Sequence, residues 1–160
     1  ELGDAALDVA SSDGDWGVLS PGTTYTITAD GQISPLTAEG AYEINDVLFW
    51  DIEGGTAYGS PIQVTFTLPP YFTGDGGSGF ARIPYSVTAT SAGWFNEDPA
   101  PGVYYQPIDP RVPNTVYLND GVSAFIGLGG VLSIPANVPS ADVNTTYEGV
   151  FILTAAYTGF

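Results

Sequence analysis

The chain has 160 residues and 18 carboxylates against two basic residues, Arg82 and Arg111, for a net charge of −16 with no Lys and no His. That balance excludes direct binding to nucleic acid or anionic membranes, which rests on neutralising phosphates with Lys and Arg. The absence of His, Cys and Lys excludes Ser-His-Asp, Cys-His and Schiff-base catalysis, and it excludes disulfides.

This length suits a single domain, residues 1–160, that buries roughly two-thirds of its unfolded surface. Apolar residues make up 44% of the chain and aromatics 13%, too many for disorder, while 21 Gly and 13 Pro spread among Thr and Val runs predict many short strands. In residues 1–10, Gly3, Ala5, Leu7 and Val9 share one face. Ten extended residues reach about 33 Å, the length of a full sandwich strand. Strands are then predicted over 23–29, 42–52 and 61–68, the last with Ile62, Val64, Phe66 and Leu68 on one face and closed by Pro69 and Pro70. Residues 80–88 place Ile83, Tyr85 and Val87 together, and Pro84 marks an edge or bulge. Short strands over 112–118, 122–128 and 131–134 lead to a closing strand over 147–157. One face of that strand carries Tyr147, Phe151, Leu153 and Tyr157, and the other carries Val150, Ile152, Thr154 and Ala156. A strand apolar on both faces has to be covered on both or lie at a seam with another chain.

The pattern predicts an all-β, antiparallel, immunoglobulin-like sandwich of about eight strands. Residues 71–79 and 93–110 read as loops, the second Pro-rich and aromatic, with Trp94, Phe95, Tyr104 and Tyr105 available to cap the sandwich, enter a subunit interface or stack on a sugar. No apolar run approaches the roughly 20 residues of a membrane helix.

Motifs with chemistry are few. Gly74, Gly76 and Gly79 have GxGxxG spacing but precede a strand where a dinucleotide site requires a helix. Asp51 and Glu53, two apart on one strand face, have the residue types of a glycosidase pair, and solvated charges at a strand end explain them more simply. Asp13, Asp15, Asn96, Glu97, Asp98, Asn119 and Asp120 offer oxygen ligands for a structural calcium without EF-hand spacing, so no cofactor is expected, with calcium the one metal the residues permit. Asn144 heads an N-glycosylation sequon.

The chain lacks Met and opens on Glu1, which predicts cleavage of a signal peptide from an exported precursor and an extracellular or cell-surface location. Because Lys is absent, isopeptide crosslinks through its amine are excluded, and a fibre of this chain would be held by noncovalent β-augmentation.

Residues 15–22, Asp-Trp-Gly-Val-Leu-Ser-Pro-Gly, resemble the opening of the spore coat protein U-like and chaperone-usher-type pilins and of a related family of bacterial surface proteins. Residues 130–157, with Ile134-Pro135-Ala136 and a final strand ending at Tyr157, are similar to their closing pattern, while 33–119 is not distinctive. The resemblance implies an incomplete sandwich assembled by donor-strand complementation, with a chaperone and usher as export partners and other copies of the chain as the lasting partner. In that scheme Gly3, Ala5, Leu7 and Val9 form the donor strand, and Tyr147, Phe151, Leu153 and Tyr157 line the acceptor groove. The fourteen residues before Asp15 suffice for one strand, either donated or the subunit's own. The cysteines often seen in such pilins are missing.

The expected function is therefore a non-enzymatic subunit of an extracellular filament or surface coat. A carbohydrate-binding or adhesive module using the 93–110 aromatics and a viral jelly-roll coat subunit are the competing readings.

Overall fold

The computed structural model describes residues 7–54, 61–74, 82–118, 123–138 and 145–158. Among these residues there is no helix and every strand pairing is antiparallel, so the chain is all-β as expected. The strands in chain order are β1 (Leu7–Ser12), β2 (Thr24–Ile27), β3 (Ile33–Ser34), β4 (Leu48–Gly54) and β5 (Pro61–Thr67). They continue with β6 (Tyr71–Gly74), β7 (Arg82–Ser86), β8 (Ala92–Phe95), β9 (Tyr105–Ile108) and β10 (Asn114–Tyr117). The last are β11 (Ser123–Leu128), β12 (Gly130–Ser133), β13 (Tyr147–Glu148) and β14 (Ile152–Tyr157).

Three sheets result, ordered β1-β4-β11-β8-β9, β10-β5-β14 and β13-β6-β7-β12-β2-β3. The first two are the layers of a sandwich, with Trp50, Ile52, Ile62, Val64, Val116, Ala124 and Ile126 buried between them. A second core beneath the third sheet gathers Trp16, Tyr25, Ile27, Ile83, Tyr85 and Leu132. Burying each large aliphatic side chain contributes about 1.5–3 kcal/mol, so strict apolar alternation decides which face of each strand turns inward.

The third sheet continues the first two because single runs of chain bend from one into the other. Pro69 and Pro70 separate β5 from β6, since proline has no N–H for a ladder. Only Gly129 separates β11 from β12. A Cβ there would lie 2.0 Å from the Ile27 carbonyl oxygen, a contact no other residue could make. The Tyr85 hydroxyl donates to the Gly129 carbonyl at 2.6 Å and fixes the bend, and burial pushes its pKa well above the usual phenol range.

Three sequence expectations change. Residues 71–79 are not all loop: Tyr71–Gly74 is a strand whose Phe72 enters the second core. Residues 93–110 are not one loop either, because Ala92–Phe95 and Tyr105–Ile108 pair as a hairpin around a turn at Pro101 and Gly102. The closing strand is interrupted between Glu148 and Ile152, which leaves β13 and β14 as separate short segments.

Candidate functional site

The motif residues at the two ends of the chain come together. Gly22, with φ of +75°, donates its N–H to the Ile134 carbonyl at 3.0 Å, and Ile134 donates to the Thr23 carbonyl at 2.9 Å, which starts the pairing of β2 with β12. Asp15 shares two main-chain hydrogen bonds with Asp46, and its Oδ1 accepts the Gly17 N–H at 3.0 Å, closing an Asx turn that delivers Trp16 into the core. There Trp16 meets Phe72, Tyr85 and Phe151 at ring-centroid distances of 5.4, 5.9 and 6.3 Å.

The sheet edges are the candidate assembly sites. Among the described residues, β1 lies on the edge of the five-stranded sheet and pairs only with β4, in register from Leu7↔Gly54 to Ser12↔Phe49. Only Leu7 packs on the core, and Asp8, Val9, Ala10 and Ser11 are exposed. Its ladder to β4, more than side-chain burial, therefore holds this strand. Gly3 and Ala5 lie outside the described residues, as does Asn144.

Among the described residues, β14 is an edge of the three-stranded sheet, paired only with β5, from Ile152↔Thr67 to Tyr157↔Ile62. β1 lies beside it without pairing to it. Leu153 is buried, while Phe151 and Tyr157 are partly buried against the first core and Tyr147 against the second. The proposed groove wall thus faces this chain's own interior. The opposite face is not covered: Val150 is 76% and Ile152 51% exposed. The other sheet edges are shorter, and β9 carries Pro107.

Carboxylates gather on the outer face of the five-stranded sheet. Asp8 stands opposite Glu53, and Asp51 lies two residues from Glu53 on the same face. Burial and the charges of Glu53, Asp98 and Asp8 raise the pKa of Asp51, and its Oδ1 is buried without a hydrogen-bond partner. Neither arginine is placed to compensate them: Arg111 grips Asp109 with two nitrogens at 2.9 Å, and Arg82 lies 4.5 Å over the Tyr71 ring. No group of three acidic residues among the described ones is arranged to hold a metal ion. Asn119 and Asp120 lie outside the described residues.

The four aromatics expected in one loop are dispersed. Phe95 is buried on the outer side of its sheet under Tyr105, with ring centroids 4.8 Å apart. Trp94 points the other way, into the first core, 5.9 Å from Tyr117, and Tyr104 alone is strongly exposed, at 83%. Sequence reasoning missed this because each of the two strands is only four residues long, too short for alternation to register.

No protein-family model matches this chain, and no curated protein matches it.

Proposed function

We propose that this protein is a non-enzymatic structural subunit of an extracellular filament or surface coat, joined noncovalently by exchange of its amino-terminal strand between copies. The observation that carries the reading is β1: an edge strand with one neighbour, four exposed residues and a place held by main-chain pairing. An identical strand from a second copy would reproduce the ladder to β4 bond for bond, which makes exchange of this element a low-cost route to a polymer. Leu7 and Val9 are the side chains it would carry from one copy to the next, with Gly3 and Ala5 preceding them.

The dispersal of Trp94, Phe95, Tyr104 and Tyr105 weighs against the carbohydrate-binding alternative, since stacking on a sugar needs a shared exposed platform. The charge of −16 per subunit opposes polymerisation. Assembly accordingly strengthens with salt or divalent cations, which screen it over about 10 Å at 0.1 M.

Deleting residues 1–12 tests the reading by sedimentation and electron microscopy. Loss of assembly is the expected result, with a synthetic 1–12 peptide filling the vacated place beside β4 but leaving the variant monomeric. Unchanged filaments after the deletion would sink strand exchange.

A further inference from the structure

β1 is a strap with a defined fastening. Its six residues pair with β4 as far as Ser12↔Phe49, and the chain is pinned again at Asp15, which shares two main-chain hydrogen bonds with Asp46. Only Asp13 and Gly14 lie between. A Cβ on Gly14 would stand 2.8 Å from the Leu48 Cβ, so the link runs close against the start of β4. Release of residues 7–12 therefore stops at Asp15 and leaves Trp16 in its core.

Like charges crowd the outer side of this strap. Residues paired across an antiparallel ladder share a face, so Asp8 and Ala10 stand beside their partners Glu53 and Asp51. The charged groups acting on Asp51 are all acidic: Glu53 on its own strand, Asp98 beyond β8 and Asp8 on β1. From the other side β11 adds no charge, because Phe125 and Ser123 are the residues opposite Asp51 and Glu53. Asp51 also keeps Oδ1 buried without a hydrogen-bond partner, and Ala10 lies directly across from it. Lifting β1 removes the Asp8 charge and admits water on that side.

We propose that β1 is a proton-latched strap, which stays on β4 while the Asp51 cluster is protonated and lifts about Asp13 and Gly14 as the cluster ionises. Burial, then Glu53 and Asp98, and last Asp8 raise the Asp51 pKa while β1 is in place. Opening weakens the first and last of these causes, so the open form binds the proton less tightly. Opening therefore increases as pH climbs from the ordinary carboxylate range through the raised value, and is level above it. Release of one proton limits the slope to about tenfold per pH unit.

The latch acts on the rate of strand exchange. A strand donated by a second copy brings the same Asp8 to the same Glu53, so own and exchanged pairings carry equal repulsion. What pH sets is how readily β1 leaves. That consequence rests on the filament reading, whereas the opening itself does not.

Amide hydrogen exchange of the full chain, followed by NMR from about pH 3.5 to 7 and corrected for intrinsic rates, tests the latch. The β1 amides bonded to β4 should exchange through a smaller opening than the one that exposes β5, and that opening should grow with pH toward the one-proton limit. Asp51→Asn should flatten the rise, and Asp8→Asn should reduce it in part. Equal protection of β1 and β5 at every pH would show that β1 leaves only on global unfolding and would overturn the strap. A rise undiminished in Asp51→Asn would overturn the latch. A pH-gated opening in a protein that never assembles would support the latch and count against the filament reading alone.

Discussion

Trp16 and Phe151 pack with their ring centroids 6.3 Å apart, so an early turn and the last stretch of chain close the same core. Phe151 also packs on the sandwich core, which makes it a bridge between the two. Trp16→Ala is expected to destabilise the fold by about 3–5 kcal/mol, the range for deleting a buried aromatic. Trp16→Phe should cost much less, because the indole nitrogen has no hydrogen-bond partner to lose. Urea unfolding of the two variants checks the difference.

The bend at Gly129 makes a second prediction. Gly129→Ala drives a methyl into the Ile27 carbonyl and should prevent native folding or cost more than about 3 kcal/mol. Tyr85→Phe removes a single buried hydrogen bond and leaves the Gly129 carbonyl unsatisfied, at about 1–3 kcal/mol. Thermal unfolding monitored by near-ultraviolet circular dichroism separates the two effects.

How far the fold was legible follows from these residues. The alternation of Ile62, Val64 and Phe66 is long and regular, and β5 lies where it predicts. β3, β6, β8 and β9 were not legible, since segments of two to four residues acquire strand geometry from their neighbours and not from their own pattern. The closing strand was legible on its inner face only. Val150 and Ile152 looked as apolar as Phe151 and Leu153, and sequence alone could not tell that Ile152 faces outward from an edge strand and that Val150 is exposed in the break before it.

Asp51 predicts the pH dependence. Its pKa is raised by burial first and then by neighbouring carboxylates, so the folded chain holds this proton more tightly than the unfolded chain. Its contribution to stability therefore falls as pH climbs from the ordinary carboxylate range through the raised value, and is level above it. Asp51→Asn should remove that part of the slope and stabilise the protein at neutral pH. Denaturant midpoints measured across the acid range provide the check, and an unchanged slope would refute the assignment.

Asp8 and Glu53 face each other across β1 and β4 as like charges. Asp8→Thr should hold β1 in its own sheet more firmly by roughly 0.2–1 kcal/mol, the range of a cross-strand pair, and so slow its exchange. Hydrogen exchange of the β1 and β4 amides reads this directly: protection should rise in the variant at low salt, and the gain should shrink as salt is added.

Strand exchange itself is tested most directly by covalent capture. The chain has no cysteine, and Ala10 and Asp51 are register partners on β1 and β4, so Ala10→Cys with Asp51→Cys introduces one cross-strand pair at a spacing a disulfide can bridge. Oxidation of assembled protein should give a ladder of disulfide-linked oligomers on a non-reducing gel, each β1 bonded to the β4 of a neighbour. Monomers with an internal disulfide as the sole product would show that β1 stays in its own sheet and would contradict the account.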